Sequence, residues 1–298
     1  MPYTIKPWED LTIQDDYMFK LIMRRERICK RMLEKILKIK IHHIKYLEEE
    51  KTINASYESK GIRLDVYVED ENMTVYNIEM QVRKPDGEGL FRRTRYYQSL
   101  IDTDLLMSGM EYDELTNAYI IFIYPFPVLD GQRHIYTFRN RCDEDNKLIM
   151  PDGAVKVFLS TKGTLEDVSS DVKAFLNYVD GIISSDDFVQ EIDQEIKVVK
   201  TIEKERRSYM TYAMKMQEER KIGIKEGMDT KTTEFVVNML KKITNAMTLW
   251  NLQELPGKML FALPICISSP IINHIMEERR GCMTYAMKMQ EKRKEDIK

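Results

Sequence analysis

Apolar and polar residues alternate with period two from Lys60 to Lys84. Ile62, Leu64, Val66 and Val68 interleave with Arg63, Asp65, Tyr67 and Glu69; further on, Ile78, Met80 and Val82 interleave with Asn77, Glu79 and Gln81. Such alternation marks half-buried strands, and Asp70, Glu71 and Asn72 between them supply a turn, so this stretch predicts a β-hairpin. Helical spacing precedes it. Phe19, Ile22, Met23, Cys29, Met32, Leu33, Ile36 and Leu37 recur at threes and fours. They predict one amphipathic helix of about five to six turns, with Thr12 as N-cap and Asp15 in the capping-box place. His43–Glu48 predicts a first strand. After the hairpin, Pro85-Asp-Gly-Glu-Gly89 breaks the pattern, and Leu90–Ser108 returns to helical spacing up to Gly109. Ala118–Tyr124 is continuously apolar, as in a strand buried on both faces. His134–Phe138 and Val155–Leu159 predict further strands, and Leu165–Val179 and Phe188–Glu205 predict helices that cover the sheet.

The tail has another pattern. The run MTYAMKMQE at Met210–Glu218 recurs at Met283–Glu291, flanked by Glu205-Arg-Arg207 and Glu278-Arg-Arg280. A segment has been duplicated. Two copies 73 residues apart do not make a solenoid. They predict two similar amphipathic helices, packed on each other within one chain or across a two-fold axis between chains. Phe235–Ile243 predicts a helix between them, and the apolar stretch Met259–Ile272, broken by Pro264, takes no assignment. The expected organisation is a domain over 1–200 and a helical tail over 201–298, with the duplication at 203–225 and 276–298.

Composition adds a local charge. The chain has 298 residues, 43% hydrophobic and 32% charged, which suits a globular domain. A net charge of −3 gives no global signature of nucleic-acid binding, but Lys20–Lys45 holds ten Lys or Arg against Glu26 and Glu34. Such a run either meets phosphates or forms the solvated face of a helix. The four cysteines are scattered, without zinc or disulfide spacing. The N-terminus has no apolar signal-type core, and no stretch approaches the ~20 apolar residues of a membrane span. The expectation is a soluble, cytoplasmic protein with no membrane partner.

Glu79 and Gln81 share one face of their strand, and Asp65 can point to the same face; two hard oxygen donors there suit Mg²⁺. The same residues carry a resemblance. Arg63-Leu64-Asp65, followed fourteen residues after the Asp by Ile78-Glu79-Met80-Gln81, resembles the bacterial PD-(D/E)XK nuclease family transposases, in which E-x-K is written E-x-Q. Asp16-Tyr-Met-Phe-Lys20, Arg93-Thr-Arg-Tyr-Tyr97, Gly109–Leu115, Tyr119–Ile123 and Tyr136–Asn140 extend it, in order, over about the first two hundred residues.

The resemblance implies an α/β, restriction-endonuclease-like core (helix, three-stranded meander, helix, strand) with a helical C-terminal appendage. It implies a DNA endonuclease linked to recombination or mobile DNA, dependent on Mg²⁺ (or Mn²⁺), which would be held by Asp65, Glu79 and the Met80 carbonyl. Gln81 stands in the place of the commoner Lys; its amide orients a water but brings no charge. Asp16 either touches the metal through water or is a charge favoured near a helix N-terminus. Lys20 is assigned to DNA phosphate, with a plain surface lysine as the alternative; Arg93 is assigned to DNA, and Tyr97 to the core. Pro125-Phe-Pro127 departs from the acidic, Cys-containing stretch usual in relatives. A homodimer through the tail would serve double-strand cleavage. The competing reading is a catalytically weak DNA-binding or oligomerising protein that keeps the fold. A small-molecule phosphohydrolase has no Gly-rich phosphate loop to support it.

Overall fold

A computed structural model describes residues 5–46, 51–53, 60–84, 89–129 and 131–249. The loop at 85–88, the apolar stretch 259–272 and the second repeat copy lie outside the described residues. In chain order the elements are α1 (Asp16–Met23), α2 (Glu26–Leu37), β1 (Ile44–Tyr46), β2 (Thr52–Ile53), β3 (Ile62–Arg63), β4 (Val66–Asp70), β5 (Val75–Met80) and α3 (Gly89–Leu105). Then follow β6 (Ala118–Tyr124), β7 (Ile135–Phe138), β8 (Ala154–Ser160), α4 (Ser170–Val179), α5 (Asp187–Lys200) and α6 (Glu203–Leu249).

The fold is mixed α/β around a six-stranded sheet of order β1-β4-β5-β6-β8-β7, with β2 and β3 paired separately. β1, β4 and β5 run antiparallel, and β4–β5 is the expected hairpin, with Val66 opposite Ile78 and Tyr67 opposite Asn77. Its turn is held by Asp70, whose Oδ1 accepts from the backbone N–H groups of Asn72 and Thr74, while Met73 takes φ 60°. β5, β6 and β8 are parallel. A parallel neighbour needs a crossover, which α3 provides between β5 and β6. β6 matches the apolar run, and all of it except Tyr119 is buried.

Each face of the sheet has its own core. On one, Val66, Val68, Ile78, Ile121, Val157 and Leu159 meet Phe19, Ile22, Cys29, Leu33, Phe175, Leu176, Phe188 and Ile192 of α1, α2, α4 and α5. On the other, Tyr67, Ile120, Phe122, Tyr124 and Phe158 meet Leu90, Tyr97, Leu100 and Ile101 of α3.

Three sequence expectations change. The first helix is two: α1 ends at Met23, and Arg25 is extended (φ −79°, ψ 102°) before α2 begins. No Pro or Gly signals the break. It lets α1 bury Met18, Phe19, Leu21, Ile22 and Met23, a spread too wide for one amphipathic stripe. Asp15 accepts from Thr12 N–H (2.7 Å), but helix begins only at Asp16. Second, the basic face of α2 is largely spent on carboxylates of α4 and α5. Arg25 pairs with Glu195 (2.7 Å), Arg27 (3.0 Å) and Arg31 (2.5 Å) pair with Glu191, and Lys35 pairs with Asp171. Third, the helix expected over Phe188–Glu205 ends at Lys200, and one helix of 47 residues then runs through the first repeat copy and the helix expected at Phe235–Ile243. Gly223 and Gly227 cost that helix only about 1 kcal/mol each and do not break it.

The first of two compact units runs to Glu218. Tyr209 and Ala213 of α6 are buried in the core. The Tyr209 ring packs 5.6 Å from Trp8 and its hydroxyl donates to the Lys6 carbonyl (2.7 Å). Removing a buried aromatic of this kind costs about 3 kcal/mol. A chain ending at residue 205 is therefore expected to melt well below the full chain, and one ending at residue 218 to keep its cooperative transition. Equal melting temperatures for the two truncations would refute this.

Candidate active site

The parallel strands β5 and β6 pair out to Met80 and Ile123, and open α/β sheets bind ligands beyond such carboxyl ends. Asp65 sits on the bend between β3 and β4, beside that end. Glu79 is the penultimate residue of β5 on the α3 face, and its neighbour across the ladder is Phe122. The hairpin's polar face is thus not solvated: Glu79 is 3% exposed and Asn77 fully buried. Period-two alternation specifies which residues share a face, and α3 covers that face.

The predicted residues come together as a chain of contacts. The Asp65 backbone N–H donates to Glu79 Oε1 (3.2 Å). Arg93, on α3, lies 3.3 Å from Glu79 Oε2 and donates to Gln81 Oε1 (2.6 Å). Its guanidinium also donates to the Tyr97 hydroxyl, and stands 4.8 Å from that ring and 5.4 Å from the Phe122 ring. On the other side of Asp65, Lys20 projects from α1. Its Nζ lies 3.0 Å from Asp65 Oδ1 and 3.1 Å from Asp16 Oδ2. Lys20 is therefore a buried cation shared by two carboxylates, and not a surface lysine. Arg93 is turned onto Glu79 and Gln81. Gln81, just past β5, also donates to the Arg83 carbonyl (2.5 Å). The Met80 side chain points to the opposite core.

Electrostatics follow from this packing. Burial, then the negative charge of Asp16, lifts the Asp65 carboxyl to about 6, against the pull of Lys20. Burial, then Asp65, holds Glu79 well above the usual carboxylate range, with Arg93 opposing. Asp16 is the converse: burial raises it, but Lys20 and a hydrogen bond from Tyr212 more than offset this and leave it low. Burial also lowers Lys20, and the two aspartates more than restore it. Two acidic groups thus sit where ionisation is costly, a cost that a cation relieves.

The donor set fits a divalent metal on these grounds. Asp65 and Glu79 offer hard carboxylate oxygens, and Mg²⁺-sized ions accept two carboxylates and keep several waters. The floor beside Glu79 has unused polarity: the Asn77 amide, near enough to favour the Glu79 charge, and the Tyr124 hydroxyl are buried without a partner of hydrogen-bonding geometry. Among the described residues no three His, Cys, Asp or Glu side chains group tightly enough to form a cage, so the two carboxylates would carry the site.

Sequence reasoning missed Tyr212, Arg63 and the hydroxyl of Tyr97. Tyr97 was read as core, yet its oxygen orients Arg93. Tyr212 lies in the repeat, whose duplication marked the segment without pointing to the site.

A carboxylate on a bend beside another at the end of a strand of a mixed sheet, with a helix on either side supplying cations, is consistent with a PD-(D/E)XK-like domain. Residues 13–150 match the model of the PD-(D/E)XK nuclease family transposases, so this stretch is similar to that family. The stretch contains Asp16, Lys20, Asp65, Glu79, Gln81 and Arg93, and ends before β8. No curated protein matches the chain. No helix among the described residues is long and apolar enough to cross a membrane.

Proposed function

We propose that this protein is a Mg²⁺-dependent DNA endonuclease of mobile DNA or recombination. The observation that carries the reading is the convergence of Asp65, beside Lys20, and Glu79, beside Arg93, at the carboxyl end of β5 within the family-matched stretch. Asp65 and Glu79 would hold the metal, with the Met80 carbonyl as a further ligand. When bound, the metal stabilises charge on the scissile phosphate and acidifies a water. Lys20 supplies the positive charge that Gln81, as an amide, does not. Arg93 fixes Glu79 and Gln81 in orientation, so the Gln81 carboxamide meets the attacking water at a set angle. A DNA backbone approaching Asp65 meets the Arg63 guanidinium, suited to phosphate oxygens.

Supercoiled plasmid incubated with and without Mg²⁺ tests this. Nicking is expected only with the metal. Linear product, which needs two cuts, is expected only at concentrations where light scattering detects a dimer, for which the exposed Ile224, Met228 and Phe235 of α6 offer an apolar surface. A gel shift without any nicking would favour the DNA-binding alternative.

A further inference from the structure

α6 lies outside the family-matched stretch, yet it reaches the acidic centre. The Tyr212 hydroxyl donates to Asp16 Oδ2 at 2.6 Å. The same oxygen accepts from Lys20, whose ammonium also touches Asp65. Arg63 closes the cluster, donating to the Tyr212 oxygen at 3.4 Å with its guanidinium 5.9 Å from that ring. Packing determines where the hydroxyl lies. The Tyr212 ring sits 5.3 Å from Tyr17, the next residue, Ala213, is buried, and Tyr209 one turn earlier packs on Trp8.

These contacts differ in freedom. The Lys20 side chain is 5% exposed and the Asp16 side chain 39%. Lys20 must keep its counterions, whereas the more exposed Asp16, paired at Oδ2 with Lys20 (3.1 Å) and more distantly with Arg63 (3.8 Å), can still turn to water unless a further group holds it. Tyr212 holds it. With Asp16 fixed, Lys20 is shared between two carboxylates and only partly occupies Asp65. With Asp16 released, Lys20 closes onto Asp65 alone and competes with the metal for its oxygens.

We propose that Tyr212 is a positioning residue of the nuclease site: it anchors Asp16, and thereby holds Lys20 at the distance from Asp65 that lets Asp65 serve as a metal ligand. The proposal rests on the nuclease reading and extends the site to a helix beyond the family domain.

The test uses the full chain with Tyr212→Phe, Asp16→Asn and the double variant. Tyr212→Phe keeps the ring and its packing, so its melting temperature should stay close to that of the parent. Its Mg²⁺-dependent nicking rate should fall about tenfold with the DNA KM unchanged, the scale of losing an outer-shell partner. In the Asp16→Asn background the same change should have no further effect, because the hydroxyl acts through that carboxylate. Calorimetric titration with Mn²⁺ without DNA should show the same pattern, with affinity about tenfold weaker in Tyr212→Phe. Parental nicking in Tyr212→Phe, or an equal loss in both backgrounds, overturns the proposal. A parent that binds Mn²⁺ but does not nick overturns the nuclease reading, and the titrations then decide: unchanged affinity in Tyr212→Phe sinks the positioning role, weakened affinity supports it. A parent that binds no Mn²⁺ overturns both.

Discussion

Replacing Glu79 by Gln is expected to lower Mg²⁺-dependent cleavage by about a hundredfold or more, because the charge stabilisation supplied through a metal ligand is worth several kcal/mol. The same change should leave the metal-free protein as stable as the parent, or more so. Glu79 is buried, and its carboxyl is raised first by burial and then by Asp65. An acid whose folded pKa is raised adds most to stability below its unfolded value and loses that contribution as pH rises through the folded one. At neutral pH the buried carboxylate is therefore a cost, which the isosteric amide removes. Mg²⁺ should stabilise the parent by about 2.7 kcal/mol when present at a hundredfold excess over its Kd, and the variant little. Urea denaturation with and without Mg²⁺, beside nicking kinetics, measures all three effects. A variant that cuts at the parental rate removes Glu79 from the site. Alanine is the poorer probe here, since it would also open a buried cavity and strand Arg93.

Arg93→Met is expected to destabilise the fold by about 2 kcal/mol and to abolish cleavage. Losing one partner of a buried pair costs about 3–5 kcal/mol. Arg93 is itself 36% exposed, so solvent screens part of its interaction with the 3% exposed Glu79. The remaining cost comes from leaving Glu79 without its guanidinium and Gln81 without its donor. Pairing Arg93→Met with Glu79→Gln should recover at least about 1 kcal/mol, because residues in one contact network couple by that order. Additive losses in the double variant would show that Arg93 stabilises through its stacking on Tyr97 and Phe122 instead.

The sheet was legible because strand patterns are local. Period two marked β4 and β5, and the apolar run of β6 marked a strand buried on both faces. The spacing of Asp65, Glu79 and Gln81 could be read for the same reason. What covers a polar face could not: Asn77 and Glu79 alternate with Ile78 and Met80 alike whether water or α3 lies above them. The break at Arg24 and Arg25 has no Pro or Gly, and follows from two helices each finding a place on the sheet. Lys20 reads as one cation in a basic run until α1 turns it inward. Tyr212 is joined to Asp16 across 196 residues, and no local pattern encodes such a contact.

The clasp between the two ends of the first compact unit also sets a schedule for synthesis. The Trp8 indole donates to the Lys200 carbonyl, Tyr209 to the Lys6 carbonyl and Tyr212 to Asp16, across 192, 203 and 196 residues. A ribosome adding roughly 5–20 residues per second needs about 10–40 s between making the first partner and making the second. Once the hairpin bearing Asp65 and Glu79 has been made, Trp8, Tyr17 and Asp16 still lack their cover. The centre is completed only when translation passes residue 212, so an unfinished chain does not yet hold Asp16 in place.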